Sequence, residues 1–349
     1  MKILYGLAGE GFGHSSRAKA IIPYLEKRGH KVKVVTYGQA VDVLKKEKYD
    51  VFEIKGCEFV FEKGRLKKSK TLYKSWNNFF DNIKKSKEIY DLMLEDFDLL
   101  ISDMEPLVSI LSNWYRLPLL SLDNQHRLTN LDLNVPEEYK IDFEMARFVV
   151  NLFCRSADWY IIVNFANSKV NKKWKEITFQ VPPIIRPDVR KLKPKKKDYV
   201  LVYLSKKDRK IVNLLKKIDD NFVVYGMDKE GKEGNIVYHK KGFGFVNDLK
   251  DCKAIVASAG FSLIAEALYL NKPYFALPLK GQFEQMLNAI ELRGAGFGDY
   301  SVGLKNREVE DFLSDLKKYE IKLKKYKPDY DLLFKKLDVV IRKVKNNKS

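Results

Sequence analysis

Short apolar runs alternate with longer segments of helical periodicity along the whole chain, and this rhythm constrains the fold more than any other feature. Strands buried on both faces of a parallel sheet read as continuous apolar runs, and helices connect them. We predict strands at residues 3–7, 33–37, 51–54, 99–102, 119–122, 159–163, 199–204, 222–225, 236–238, 254–257 and 274–277. Helices are predicted between them, as at 207–218 and 263–270. The chain is therefore expected to be an α/β protein with two Rossmann-like lobes.

A proline-rich segment at 181–187, followed by closely spaced lysines at 191–197, separates the two halves of this pattern. Such composition is typical of a linker between domains. We predict one domain at 1–185, with an insertion around 59–98, and a second at 186–349, whose C-terminal helices can return to the first lobe. Open α/β sheets bind ligands beyond the carboxyl ends of their strands. We therefore expect the functional site in a cleft between the lobes.

Charge and cysteine content restrict the functional classes. The 65 Lys and Arg residues against 46 Asp and Glu give a formal charge of +19. This excess fits a nucleic acid, a membrane surface or a phosphorylated substrate, but lysine-rich composition is also typical of heat-adapted proteins. Three scattered cysteines without a CxxC pair argue against a disulfide scaffold or a zinc site. With neither a signal peptide nor an 18-residue apolar run, we expect a cytoplasmic protein.

A glycine-rich turn follows the first predicted strand, where residues 6–17 read GLAGEGFGHSSR. Glycines let a backbone approach a ligand, and a helix N-terminus offers unpaired N–H groups. The turn is not a P-loop, because no Lys-Ser/Thr follows the glycines. Nor is it a dinucleotide fingerprint, because His14 stands where the third glycine belongs. His14 is thus either a cap of the turn or a group that transfers a proton.

A second cluster of motifs lies between residues 257 and 289. It consists of the small-residue turn 258–260, Glu266 on the helix that follows, Lys272-Pro273, Glu284-Gln285 and Asn288-Ala289. This set resembles the nucleotide-sugar glycosyltransferases of the two-lobed GT-B class, and it is most similar to the MurG and UDP-glycosyltransferase superfamily. Asn271 stands where that family has the first glycine of Gly-x-Pro.

The resemblance implies that the second lobe binds a nucleotide-sugar donor, a UDP-sugar, with no metal and no cofactor. Backbone N–H groups at a helix start can bind a diphosphate, and one carboxylate can accept hydrogen bonds from two ribose hydroxyls. The implied donor-binding residues are Ser258, Ala259, Gly260, Phe261, Ser262, Glu266, Glu284 and Gln285. Taken singly, Glu266 could be a solvated helix residue and Gln285 a helix cap.

Two further donor contacts follow from the same resemblance. The segment 242–249 precedes a short helix, as does the family's base-binding loop, so Phe245 and Val246 are expected to contact the base. Ser205 ends a strand near the expected phosphates, although the glycines usual at this place are missing.

Acidic and amide side chains follow the fourth and fifth predicted strands of the first lobe. Asp103, Glu105 and Asp123 join His14 as candidate catalytic residues, and the candidate acceptor-binding residues are Gly11, Gly13, Asn124 and Gln125. Asp103 and Asp123 could instead cap the turns that follow. The Asp96-Phe97-Asp98 triplet has the form of a manganese site in another transferase class, but it enters a strand, and we expect no metal there.

The sequence therefore predicts a metal-independent, inverting glycosyltransferase of the hexosyl type that moves a sugar from a nucleoside diphosphate, UDP, to a hydroxyl. An epimerase similar to UDP-N-acetylglucosamine 2-epimerase is an alternative, because it shares the architecture and donor site. A protein without catalysis that binds nucleic acid or another partner is a second alternative. No RNA-binding motif supports it, and no nucleic acid is expected as a partner.

The insertion 59–98 combines an apolar stripe with lysines. The stripe comprises Leu72, Trp76, Phe79, Phe80, Ile83 and Tyr90, and the lysines are Lys67, Lys68, Lys70, Lys74, Lys84, Lys85 and Lys87. Such a helix either packs on the first lobe with its lysines in water or lies in the interface of an anionic membrane. The second interpretation predicts a peripheral enzyme on the inner membrane face with a lipid-linked acceptor, as in enzymes similar to MurG.

Overall fold

The computed structural model describes residues 1–10, 12–56, 61–62, 65–66, 86–154, 156–240, 242, 244–304 and 307–347. The side chains of residues 12, 61, 62, 65, 66 and 86 are not part of that description. The chain divides into two compact units. Unit 1 consists of Met1–Ile184 with Asp329–Ser349, and unit 2 of Ile185–Pro328.

Unit 1 is built on a seven-stranded parallel sheet. The strands of this unit are β1 (Lys2–Leu7), β2 (Lys31–Thr36), β3 (Asp50–Glu53), β4 (Phe61–Glu62), β5 (Arg65–Leu66), β6 (Leu99–Asp103), β7 (Leu119–Asp123), β8 (Leu131–Asp132), β9 (Trp159–Val163), β10 (Lys169–Val170) and β11 (Thr178–Val181). The large sheet has the order β11-β9-β7-β6-β1-β2-β3. All of its neighbouring strands are parallel. The strand order reverses at β1 and β6, so their carboxyl ends form the topological switch point.

Helices cover this sheet. They are Phe12–Glu26, Gln39–Lys46, Ser86–Met93, Pro106–Tyr115, Arg127–Asn130, Lys140–Phe153 and Leu332–Asn346, with short 3₁₀ turns at Glu137–Tyr139 and Lys172–Trp174. The C-terminal helix packs on the first one, because the Tyr24 ring stacks on Phe334 with 4.4 Å between ring centroids. Its buried face repeats at helical spacing through Leu333, Leu337, Val340, Ile341 and Val344.

Unit 2 repeats the architecture. Its strands are β12 (Val200–Tyr203), β13 (Phe222–Tyr225), β14 (Gly231–Glu233), β15 (Ile236–His239), β16 (Ala254–Ser258), β17 (Tyr274–Leu277) and β18 (Gly298–Tyr300). The sheet order is β14-β15-β13-β12-β16-β17-β18, and within it β14 alone runs antiparallel to its neighbour. The helices are Pro187–Arg190, Arg209–Leu215, Phe245–Asp251, Phe261–Tyr269, Phe283–Ala295, Glu308–Ser314 and Leu316–Lys325. The switch point lies at β12 and β16.

The predicted α/β architecture with two Rossmann-like sheets is confirmed, and every predicted strand has a counterpart within two residues of its predicted ends. The two-residue strands β4, β5, β8 and β10 were not predicted, and neither were β11, β14 and β18 of the two large sheets. The last three lie at or near sheet edges, and their sequences TFQV, GKE and GDY lack a continuous apolar run. The predicted helix of the insertion lies mostly outside the described residues, which resume in a helix at Ser86. Within the described part of the chain, no helix is long and apolar enough to cross a membrane.

Candidate functional site

The turn after β1 is filled by the protein itself. A Cβ atom on Gly6 would lie 2.6 Å from Cγ2 of Val108, and one on Gly9 would overlap the backbone carbonyl of Tyr37. Both glycines are thus required by close packing within unit 1, where the sequence suggested an approach by a ligand. Gly11 lies outside the described residues, and Gly13 lies in the first turn of the helix Phe12–Glu26.

His14 is joined to the end of β6. Its Nδ1 lies 2.8 Å from Oδ1 of Asp103. Arg17 donates two hydrogen bonds to the same carboxylate, from Nε at 2.7 Å and from Nη2 at 2.8 Å. Asp103 is fully buried, whereas 14% of the His14 side chain is exposed. Because an ionised carboxylate only accepts hydrogen bonds, the contact requires the tautomer in which the Nδ1–H group of His14 donates a hydrogen bond to Asp103. The ring nitrogen that remains able to accept a proton is therefore Nε2.

The charge of Arg17 keeps Asp103 ionised. Burial opposes ionisation, but the positive charge of Arg17, followed by the His14 interaction, holds the pKa of Asp103 below its ordinary value. A fully buried carboxylate would otherwise favour its neutral form. Asp103 is thus suited to orient the His14 ring rather than to exchange protons itself. The role of Arg17 was missed in the sequence, although it lies one helical turn after His14 and on the same helix face.

Glu105 begins the next helix. Its side chain accepts hydrogen bonds from the backbone N–H groups of Leu107 at 3.0 Å and Val108 at 2.7 Å, which makes it the N-cap of Pro106–Tyr115. It is 1% exposed, and burial raises its pKa to about 7 although these two hydrogen bonds act in the opposite direction. Met104 between Asp103 and Glu105 has a φ of 58°, which is uncommon for a residue other than glycine.

Asp123 forms a separate buried pair with His126. Its Oδ2 lies 2.7 Å from Nδ1 of His126 and accepts a hydrogen bond from Ser121, also at 2.7 Å. Oδ1 caps the following turn by accepting from the N–H groups of Gln125 and His126. Burial disfavours both charges, yet their mutual attraction lowers the pKa of Asp123 to about 2 and raises that of His126 to about 10.

The predicted acceptor residues beside Asp123 take part in the same turn. Asn124 is 4% exposed, and its N–H group donates to Oε1 of Gln125 at 3.2 Å. The structure therefore joins His14 with Asp103, while it places Glu105 and Asp123 in two separate capping roles. The alternative that Asp123 caps its turn agrees with this geometry.

The triplet 96–98 has a structural role next to the sheet of unit 1. The Asp98 carboxylate accepts a hydrogen bond from the backbone N–H of Lys2 at 2.7 Å, which attaches it to the start of β1. Among the described side chains, no three His, Cys, Asp or Glu residues are grouped so that they could hold a metal ion.

In unit 2, the turn after β16 leaves open space at the helix start. A Cβ atom on Gly260 would meet no heavy atom within 4 Å, in contrast to Gly6 and Gly9. Gly260 is the N-cap of Phe261–Tyr269 and, as a glycine, makes no side-chain capping hydrogen bond at this end. A side chain of the helix Phe283–Ala295 fixes the turn, because Asn288 donates a hydrogen bond to the carbonyl of Ala259 at 2.8 Å. The side of the turn where a Cβ atom of Gly260 would stand is thus open to a ligand.

Two serines lie side by side at the switch point of this sheet. Ser205 Oγ and Ser258 Oγ, which follow or end the adjacent strands β12 and β16, are 2.7 Å apart. Ser262 in the first turn of the helix is exposed. The predicted phosphate contacts therefore lie together at the carboxyl ends of β12 and β16. They are residues 205, 258 and 260–262.

Glu266 is not a solvated helix residue. It is 6% exposed and forms a bidentate ion pair with Arg186, in which Nε lies 2.6 Å from Oε1 and Nη2 lies 3.0 Å from Oε2. Arg186 lies 80 residues earlier, in the proline-rich segment. Each carboxylate oxygen keeps a second lone pair, so the pair leaves Glu266 able to accept further hydrogen bonds. No pattern in the sequence singled out Arg186.

An aromatic cluster surrounds the predicted base loop. The Phe245 ring meets Tyr203 and Tyr225 edge to face, with centroids 5.3 Å and 5.2 Å apart. Tyr225 also donates to Oδ2 of Asp248 at 2.6 Å. Phe245 and Val246 begin the helix Phe245–Asp251, with Gly244 as its N-cap at a φ of 96°. The Phe245 ring is therefore already packed among residues of its own unit.

The predicted sugar-reading residues lie at the start of Phe283–Ala295. Gln285 accepts a hydrogen bond from the N–H of Leu279 at 3.1 Å and donates to Gln282 at 2.7 Å, so its side chain shapes the loop 279–285. Glu284 beside it is exposed. The sequence suggested that Gln285 is either a sugar contact or a helix cap, and these two hydrogen bonds tie it to the loop before the helix.

Asn271 explains the departure from the Gly-x-Pro pattern. It has a φ of 56° directly after Phe261–Tyr269 and its C-cap. Glycine is favoured at such a helix exit, and asparagine is among the few other residues that tolerate it. The following Lys272 is 4% exposed and donates to the carbonyls of Cys252 and Lys195.

Two Rossmann-like units, each with a mostly parallel sheet and a turn of small residues at its switch point, are characteristic of the GT-B class of glycosyltransferases. Solved structures share this fold over nearly the whole chain. The kitacinnamycin glycotransferase has a TM-score of 0.71 at 12% identity and covers 98% of both chains. The calicheamicin glycosyltransferase CalG4 has a TM-score of 0.66 at 15% identity, with 93% of this chain and 92% of that one covered. Acinetobacter baumannii MurG has a TM-score of 0.62 at 14% identity, with 98% and 99% covered.

The family model described as Glycosyl transferase family 1 matches residues 1–317, and the chain belongs to this family. It is a glycosyltransferase. An uncharacterized glycosyltransferase of Methanosarcina acetivorans is 23% identical, with 85% of each chain covered. The UDP-N-acetylglucosamine--N-acetylmuramyl-(pentapeptide) pyrophosphoryl-undecaprenol N-acetylglucosamine transferase of Clostridium botulinum is also 23% identical, with 89% of this chain and 88% of that protein covered.

Proposed function

We propose that this glycosyltransferase moves a hexosyl group from UDP to an acceptor hydroxyl, without a metal ion or cofactor and with inversion at the anomeric carbon. The observation that carries the proposal is the His14–Asp103 pair, in which a buried carboxylate fixes one ring nitrogen and leaves the other to take a proton. Such a pair activates a hydroxyl for attack on an electrophilic carbon.

The donor half of the proposal belongs to unit 2. The uncapped helix start at Gly260 supports diphosphate binding, because its N–H groups and partial positive charge can stabilise the negative charge that develops on the leaving UDP. Glu266, held by Arg186, would accept the ribose hydroxyls. The helix end supplies the positive field, so the leaving group needs no metal ion.

The choice of inversion rests on how the carboxylates of unit 1 are used. Retention by a double displacement needs a nucleophile that can reach the anomeric carbon. Asp103, Glu105 and Asp123 are each at most 1% exposed and are held by Arg17, backbone N–H groups and His126 respectively. A single displacement, with His14 as the base, fits this arrangement better.

For the acceptor, we propose a lipid-linked hydroxyl compound at the cytoplasmic face of the membrane. The name of the Clostridium botulinum relative gives a pyrophosphoryl-undecaprenol acceptor for that enzyme, and the net charge of +19 would attract an anionic membrane surface. Each lysine near such a surface contributes about 1 kcal/mol. Sedimentation with anionic and neutral vesicles tests this part. Binding that does not weaken with salt or with loss of lipid charge contradicts it, while the transferase half remains.

The catalytic half is tested by turnover. We expect His14→Ala to lower turnover by about 100-fold or more, because proton transfer contributes about that much. Release of UDP should depend on an added acceptor, whereas an epimerase would convert its UDP-sugar into the epimer without one. Asp103→Asn serves as the companion variant, because it keeps the shape but removes the charge that orients the ring.

The result that contradicts this assignment is specific. If turnover per bound donor is unchanged in His14→Ala while donor affinity falls, His14 is a phosphate contact and not the base.

A further inference from the structure

The helix Lys140–Phe153 of unit 1 has an apolar stripe on its outer face. Four of its side chains are exposed large apolar residues, namely Ile141 at 79%, Met145 at 45%, Phe148 at 66% and Leu152 at 57%. Their spacing of four, three and four residues places them in one row along the helix. Val150, on the opposite side, is buried at 3%. The outer face of a surface helix is ordinarily polar, so this row is a surface that a partner would cover.

The four residues follow the spacing of a coiled-coil seam. Positions 141, 145, 148 and 152 correspond to alternating d and a positions of a heptad, which is the pattern that lets one helix pack its knobs into the holes of another. The row spans eleven residue steps, about 16 Å at 1.5 Å per residue. A seam of this kind is self-complementary when two copies are related by a two-fold axis.

The charges beside the row identify the kind of partner. The helix carries two cations, Lys140 and Arg147, and two acids, Asp142 and Glu144, so it is neutral in a chain with a net charge of +19. Arg147 pairs with Glu144 at 3.2 Å, and Lys140 pairs with Glu137 in the turn before the helix. An anionic membrane would favour an excess of cations here. Two copies of a strongly cationic chain approach each other at lowest electrostatic cost through a neutral face.

We propose that the outer face of Lys140–Phe153 is a self-association surface, through which two copies of this chain form a symmetric dimer by packing the Ile141, Met145, Phe148 and Leu152 side chains of each against the other. The row includes neither His14 nor any of the predicted donor-binding residues.

Sedimentation velocity over a concentration series tests the dimer. We expect the wild-type chain to pass from monomer to dimer, and Phe148→Glu to weaken dimerisation by about 30-fold or more, the scale of losing a central aromatic contact. Ile141→Glu is a second variant at the most exposed position of the row. Ile321→Glu is the matched control, because Ile321 is 52% exposed on a helix of unit 2 and should leave dimerisation unchanged. Equal thermal unfolding of all variants shows that each is folded.

Salt separates self-association from membrane binding. A dimer of two cationic chains should become tighter as salt screens their repulsion, whereas binding to vesicles of phosphatidylglycerol should weaken. A wild-type chain that stays monomeric throughout the series, or a Phe148→Glu variant that dimerises like the wild type, overturns the proposal. If the wild-type chain stays monomeric and Phe148→Glu loses vesicle binding, the row binds lipid and the proposal is overturned.

Discussion

The candidate site residues lie at the carboxyl ends of the strands in both units, and the two switch points differ in what occupies them. In unit 1, the switch point is occupied by the protein's own charges and packing, with His14, Asp103 and Arg17 joined and Gly9 pressed against Tyr37. In unit 2, the equivalent helix start is uncapped, and Gly260 faces space with no heavy atom within 4 Å of a Cβ position.

The turns at the two switch points thus differ physically. In unit 1, the glycine-rich turn lets the backbone pack closely and carries His14 next to Asp103. In unit 2, the small-residue turn leaves the space beside Gly260 open. We propose that the first turn serves proton transfer and that the second binds the anionic donor.

Replacing the glycine of each turn by alanine should give the largest difference between the two units, in stability for one and in UDP affinity for the other. We expect Gly9→Ala to destabilise unit 1 by about 3 kcal/mol or more, because the new methyl group overlaps backbone that cannot move aside cheaply. Gly260→Ala should change the free energy of unfolding by less than about 1 kcal/mol and instead weaken UDP binding. Urea unfolding and calorimetry measure the two quantities. Equal loss of stability in both variants would remove the distinction.

Two buried groups of unit 1, Glu105 and His126, should make stability fall as pH rises above about 4.5. Glu105 has a folded pKa of about 7 against an ordinary 4.5, so the folded state holds its proton longer and loses stability between these values. His126 has a folded pKa of about 10 against 6.5, so its contribution is complete below 6.5 and is lost as pH rises through 10. At about 1.4 kcal/mol per pH unit, these contributions are about 3 kcal/mol for Glu105 and about 5 kcal/mol for His126.

Single variants assign the two parts of this pH dependence. Glu105→Gln should flatten the unfolding free energy between about pH 4.5 and 7, and His126→Gln should flatten it between about pH 6.5 and 10. Unfolding by urea at several pH values measures both. If the profile of either variant follows the wild type, the corresponding group does not cause the dependence.

The smallest expected effect concerns the residues with positive φ that follow one helix in each unit. Arg116 after Pro106–Tyr115 and Asn271 after Phe261–Tyr269 both have positive φ, at 53° and 56°. We expect Arg116→Gly to stabilise the chain by about 0.5 to 1 kcal/mol and Asn271→Gly to do so by less, because asparagine tolerates this conformation better than arginine. Thermal unfolding resolves the order. A larger gain at Asn271 would contradict it.

The sheets could be predicted because their buried strands are largely apolar, as in WYIIV at 159–163. The edge strand β11 could not, since its alternating TFQV is equally compatible with a loop. The N-cap role of Glu105 had a local signal, an acid directly before proline at a helix start.

Contacts between distant parts of the chain account for the rest. His14 was identified from its turn, but its pairing with Asp103 spans 89 residues and depends on β1 and β6 being neighbours. Arg186 is the clearest omission, because its partner Glu266 is 80 residues away and the proline-rich segment around it shows only a linker. Local patterns give residue types, and only the fold brings the partners together.

The central claim, that unit 2 binds the donor and unit 1 supplies the base, is tested most directly by calorimetric titration with UDP. Glu266→Ala should weaken binding by about 1 to 3 kcal/mol, the cost of leaving hydrogen-bond partners of a charged group unmet. His14→Ala and the exposed control Glu310→Ala in unit 2 should bind like the wild type. Unchanged affinity in a folded Glu266→Ala protein, or a loss of affinity in His14→Ala alone, would contradict the claim.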